Sequence, residues 1–201
     1  LNLGLMILLL GLLATLPACD AVPGLSATQV PTEASPTPVG ENTPPEIVQS
    51  GTVRQWAIAA EASSNYDNPE WAAIQATGAP DTARCGDIQT AWASASSDDV
   101  DWLELEYAEP VYASAVNIYQ TFNPNQVVKV ELVSTLGRAL TIYQSDPVQV
   151  DQPCPFILSI VVEKTNTRYN RVRLTVDQST TGLGWNEIDA VELVGDSERT
   201  E

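Results

Sequence analysis

Apolar and polar side chains alternate along several short stretches of the chain. Val127-Val128-Lys129-Val130-Glu131-Leu132 and Val172-Arg173-Leu174-Thr175-Val176 show it best. A period of two belongs to strands with one face in a core and the other in water. Similar signals, separated by turn residues, predict strands near 53–60, 101–107, 111–120, 127–133, 138–143, 156–163, 170–176 and 188–194. No long stretch has a helical period. About eight short strands without a long helix predict an all-β fold, an antiparallel jelly-roll β-sandwich. Residues 51–195 are enough chain for one hydrophobic core.

The segment 61–100 breaks this texture. It is long, polar and rich in turn residues, and only Pro69 to Gln75 offers a helical turn or two. A loop this long inside a domain is functional or stapled. Tyr66 and Trp71 lie in it beside Asn65, Asp67 and Asn68. An aromatic platform with adjacent amides suits a sugar site, so Tyr66, Trp71, Asn65 and Asn68 are the candidate ligand-binding residues. Trp71 as a lid over the sandwich is the competing reading. Trp56, Trp92, Trp102 and Trp185 lie in or beside strands and are expected in the core. The segment 121–126 is either a second contributor to a site or a hairpin turn.

The two ends of the chain read differently again. The first 19 residues form an apolar run closing in Leu16-Pro17-Ala18-Cys19, shorter than the roughly 20 residues of a membrane span. This closing motif resembles a bacterial lipobox, without an initial Met or an early Lys or Arg. The resemblance implies a lipoprotein signal peptide at 1–18 and a lipid on Cys19; an ordinary signal with an incidental cysteine is the other reading. Residues 19–50, rich in Pro, Ser and Thr, form an expected disordered tether. Residues 196–201 are a short tail. Cys85 and Cys154 are the remaining cysteines. In an exported chain such a pair reads as a disulfide, with two free buried thiols as the alternative.

Composition narrows the chemistry. The net charge of −17 opposes nucleic acid and anionic lipid, which leaves the anchor as the contact with a membrane. There is no histidine, so a Ser-His-Asp triad, a Cys-His dyad and a histidine zinc site are excluded. A metal here would be a hard cation with oxygen ligands.

The motif order adds a resemblance. Ala62-Ser63-Ser64, the run 76–82 (ATGAPDT), the run 90–94 (TAWAS), the run 101–107 (DWLELEY), the run 168–174 (RYNRVRL) and the run 185–195 (WNEIDAVELVG) follow one another. Together they resemble the galactose-binding-like jelly rolls, the discoidin and coagulation-factor type C domains with their carbohydrate-binding relatives. The resemblance covers 53–195. In many such relatives a calcium ion ties the long early loop to the last strand. Carried over motif by motif, this implies Asp81, Thr82 and Glu187 as metal ligands. Glu187 with an arginine partner, and Asp81 in an Asx-type turn, form the plainer reading. Asp189 is an acceptor behind the metal or a partner of Arg173. A catalytic pair of Glu187 and Asp189 needs a cleft and a raised pKa, which nothing in the sequence indicates. The expected protein is a non-catalytic module outside the cytoplasmic membrane, tethered by lipid, that recognises a glycan or a cell-surface protein. A structural, adhesion or assembly domain without a small-molecule site is the alternative.

Overall fold

Eight strands follow one another in the chain: β1 (Thr52–Trp56), β2 (Ala59–Ala62), β3 (Val100–Phe122), β4 (Val127–Ser134), β5 (Ala139–Gln144), β6 (Phe156–Val161), β7 (Tyr169–Asp177) and β8 (Glu187–Asp196). The computed structural model describes residues 51–150, 155–163 and 165–199. The expected signal peptide, Cys19, the tether, Cys154, and Thr200 and Glu201 of the tail lie outside the described residues.

All pairing is antiparallel. In one sheet β3 lies between β8 and β6, and β1 lines the far side of β8. In the other, β3 lies between β2 and β7, with β4 and β5 continuing beyond β7. Both sheets therefore share β3. Its first half, from Val100 to Glu106, pairs with β7, and its second half, from Tyr112 onward, pairs with β8. The register with β7 shifts between Glu106 and Val111. Pro110 sits there, and it has no N–H to give a ladder.

The two strands expected at 101–107 and 111–120 are thus one strand of 23 residues. The opposite happens at 53–60, where the chain changes sheets and the expected single strand divides into β1 and β2. The 121–126 segment is not a hairpin turn, because β3 and β4 do not pair; it carries the chain from one sheet to the other. The helical turn is a 3-10 turn at Ala73–Ala76, later than expected.

The core lies between the sheets. Leu103, Leu105, Val116, Ile118, Leu132, Val172, Leu174, Ile188 and Leu193 are completely buried there. Burying one such side chain contributes about 1.5–3 kcal/mol. Trp92 joins them with no exposed surface, and its indole N–H donates to Ser64 O at 3.1 Å. The other tryptophans expected in the core are only partly buried. Trp56 packs edge-on against Tyr119, and Trp102 lies under the Arg173 guanidinium.

β8 departs from simple alternation. Every residue from Glu187 to Gly195 is buried. One face of β8 meets the core, and the start of the other is covered by the long loop between β2 and β3. Backbone bonds hold that loop down. Trp92 and Ile188 exchange N–H to O bonds at 2.8 and 3.0 Å, and Gly78 N donates to Ala57 O at 2.9 Å.

Candidate functional site: an acid-floored aromatic cleft

The loop doubles back so that its two arms bond each other. Tyr66 N donates to Ala93 O, Ala93 N to Trp71 O, and Trp71 N to Gln89 O. Asn65 Oδ1 accepts the N–H of Ala73 at 2.8 Å. These bonds hold Trp71 at φ 51, a left-handed conformation that bulky residues rarely adopt. The backbone thereby presents the indole toward Tyr66. Tyr66 meets Trp71 edge-on at 5.4 Å and Trp185 edge-on at 5.3 Å between ring centroids. Trp185 is fixed in turn by its indole N–H, which donates to Ser94 O at 2.9 Å.

The three rings wall a cleft of about 30 Å³ that Asp87, Ala93 and Glu187 complete. Asp87 Oδ1 accepts the Trp71 indole N–H at 3.0 Å. Glu187 Oε2 accepts the Ile88 backbone N–H at 3.0 Å. Glu187 is 1% exposed. Burial, with the Asp87 charge adding to it, raises its carboxyl to about 8, although the Ile88 N–H pulls the other way.

A second acidic group lies two residues along. Between Tyr119–Ala190 and Gln120–Ile188 the ladder advances one residue on β3 and two on β8, so Asp189 is the extra residue of a bulge. Its Oδ2 accepts the Thr82 N–H at 3.4 Å, and its Oδ1 has no hydrogen-bond partner. The Thr82 hydroxyl reaches Asp81 Oδ1 at 3.2 Å and Thr90 Oγ1 at 2.7 Å. Burial, and then the Asp81 charge, raise Asp189 to about 6.

These placements correct several expectations. Glu187 and Asp189 are both buried. Arg173 does not pair with Asp189; it pairs with Glu104 at 2.7 Å. It is Glu192, not Glu187, that takes an arginine, Arg54 at 2.7 Å. Of the expected ligand-binding residues, Tyr66 and Trp71 line the cleft, while the Asn65 amide is spent on Ala73. Asn68 is exposed and is not part of the lining. Asp87 and Trp185 were not anticipated as lining. Each follows a glycine at positive φ, Gly86 at 142° and Gly184 at 90°, which was the available signal.

The implied metal ligands divide between the two groups. Asp81 and Thr82 stand with Asp189, and Glu187 faces Asp87. A buried carboxylate oxygen without a hydrogen-bond partner, beside a second acid and a hydroxyl, fits a hard cation that takes 6–8 oxygens. Among the described residues no group of three or more Asp, Glu, His or Cys is placed to hold a metal, so carbonyls or water would complete the set. Cys85 is disulfide-bonded, and Cys154 lies outside the described residues.

Two packed antiparallel sheets sharing one strand, with a long loop closed over the last strand, define a galactose-binding-like jelly roll. The chain is similar to chitosan-binding module 1 of a chitosanase/glucanase from Paenibacillus sp. IK-5, with 19% identity, a TM-score of 0.52, and coverage of 68% of this chain and 94% of that one. It is also similar to the lectin domain of lectinolysin complexed with Lewis B antigen, at 13% identity and a TM-score of 0.50 over 71% of this chain and 93% of that one. A fucolectin from striped bass (Morone saxatilis) serum gives 15% identity and a TM-score of 0.51, over 70% of this chain and 49% of that one. At these identities the likeness is one of fold. Within that fold the chain belongs to a particular family: residues 46–201 match the family described as pappalysin-1, SD scarf domain, C-terminal. No curated protein matches the chain.

Proposed function

We propose that this chain is a non-catalytic binding module that recognises a glycan or a cell-surface partner outside the cytoplasmic membrane, held there by a lipid on Cys19. The observation that carries the reading is the cleft. Three aromatic rings and two carboxyl groups converge at one end of a rigid sandwich, and the exposed one, Tyr66, is 52% accessible. Sugar rings lay apolar C–H faces on aromatic rings and direct their polar groups to carboxylates and amides at the rim. Lectins and a chitosan-binding module share the fold, which supports a glycan over other ligands without naming one.

Calcium belongs to the same reading. Asp81, Thr82 and the buried Asp189 are the residues that would hold it, and the ion would tie the loop to β8. Glu187, the closing carboxylate that the resemblance implies, is the variant that tests that assignment.

The expected outcome of a glycan-array screen with the full chain is selective binding to a subset of glycans. Trp71→Ala should weaken that binding by about tenfold or more, the equivalent of about 1.4 kcal/mol from one lost aromatic contact. Binding that survives both Trp71→Ala and Tyr66→Ala would move the site away from the cleft. An array with no selective binding would leave the chain as a structural or assembly domain.

A further inference from the structure

The cleft has an unusual charge balance. Asp87 and Glu187 both line it, no Lys or Arg lines it, and three aromatic rings wall it. Two neighbouring carboxyl groups without a cation repel each other and resist ionising together. The rings add no positive charge. Their faces carry negative potential and attract a cation placed against them. The two acids, with no Lys or Arg beside them in the lining, favour a cationic guest.

Size narrows the guest further. The cleft is small, about 30 Å³, and partly open, so it suits a small polar group better than a whole sugar ring. The ring of a ligand would then rest outside, against Tyr66, which is 52% exposed. An amine carried directly on a sugar ring meets both conditions, with its nitrogen in the cleft and its ring on Tyr66. A lysine ammonium ends a flexible four-carbon stem, which a shallow cleft leaves without contacts.

We propose that the cleft is an ammonium subsite, formed by Asp87 and Glu187 between Tyr66, Trp71 and Trp185, that selects glycans with free, non-acetylated amino groups. This inference rests on the reading of the chain as a glycan-binding module and names the ligand class of that same cleft. Asp87 supplies the charged acceptor, and its Oδ1 is oriented by the Trp71 indole. Glu187 supplies the floor. Trp71, held at positive φ, sets the distance between the rings. N-acetylation would remove the charge and add bulk at the cleft.

The test is calorimetric titration of the full chain with a glucosamine tetramer, its fully N-acetylated counterpart, a neutral galactose tetramer and tetralysine. Asp87→Asn keeps an oxygen that accepts the Trp71 N–H and removes only the charge, so the fold is preserved. Asp146→Asn, an exposed acid beyond β5, controls for the general attraction of a chain at −17. The expected result is that the glucosamine tetramer binds about tenfold or more tighter than the acetylated tetramer, one charge-assisted hydrogen bond in effect. Asp87→Asn should abolish that preference, and Asp146→Asn should leave it in place. Equal binding of the two tetramers, or a preference that survives Asp87→Asn, overturns the inference. So does tetralysine binding tighter than the amino sugar with the same dependence on Asp87, which would make the guest a protein. If the neutral or acetylated tetramer binds through Trp71 and the amine adds nothing, the ammonium subsite fails while the glycan module stands. If no glycan binds, the module reading fails and this inference with it.

Discussion

Two carboxyl groups buried two residues apart on β8 make the folded state a better proton acceptor than the unfolded chain. Glu187 rises from its ordinary value of 4.5 to about 8, and Asp189 from 3.8 to about 6, burial being the largest cause in both. A carboxyl raised in the folded state contributes stability that is complete below its unfolded pKa and is lost as pH climbs through the folded one. In chelator, the melting temperature should therefore fall as pH is raised from about 5 to about 8, and Glu187→Gln should flatten the upper part of that slope. Calcium should oppose the fall, with a gain that grows as pH rises, because the ion competes with protons for carboxylates. At 100 times its dissociation constant the gain is about 2.7 kcal/mol. Asp189→Asn should remove most of it, and Glu187→Gln should leave most of it. The reverse order would return the closing role to Glu187, and no calcium effect in either background would dismiss the metal. What the sequence shows at this scale is the type of residue. A period of two put Glu187 and Asp189 on one face, and they do face the same loop. The partners that bury them, Ile88 and Thr82, are 99 and 107 residues away, and no local pattern carries that separation.

Strand β8 also packs closely along its length. A Cβ at Gly195 would lie 2.5 Å from Tyr112 O and 2.9 Å from a Val111 methyl. Tyr112 O is backbone within β3, so neither side has a flexible end to move. Gly195→Ala should cost about 1–3 kcal/mol, as overpacking does. Chemical denaturation would read this as a lower midpoint at an unchanged slope. An unchanged midpoint would mean that β3 and β8 separate here more easily than their ladder suggests. The strands themselves were mostly legible. β4, β5, β6, β7 and β8 fall within two residues of the expected spans, since each stays in one sheet. β1, β2 and β3 were misdivided for one physical reason. Alternation reports the face of a residue, not the sheet a strand belongs to. Ala108-Glu109-Pro110 reads as a turn, yet the chain stays extended there while its partners change.

For the molecule as a whole, the sequence indicated the sandwich and the importance of its long loop, but not the cleft, whose lining comes from both arms of the loop and the start of β8 together. The same holds for the cysteines. Cys85 is disulfide-bonded, and pairing with Cys154 would close a loop of about 70 residues, a constraint worth about 4 kcal/mol in the chain-entropy model. Mass spectrometry of the mature protein, without reduction, should find a linked Cys85–Cys154 peptide pair and an N-terminal peptide carrying lipid on Cys19. Free Cys154 would refute the pairing, and an unmodified Cys19 would refute the anchor.

The pairing of β1 with β8 has a mechanical consequence. Thr52 lies opposite Asp196, so β1 begins beside the end of β8 that is farthest from Glu187. The 10 residues of β8, at about 3.3 Å each, span about 30 Å between that end and the cleft. Tension between the segment before β1 and a ligand in the cleft would run along the strands rather than across them. The five residue pairs from Thr52–Asp196 to Trp56–Glu192 would be loaded together in shear, not opened one at a time like a zipper. The arrangement resists being pulled apart in the direction in which a tethered, ligand-gripping module would be pulled.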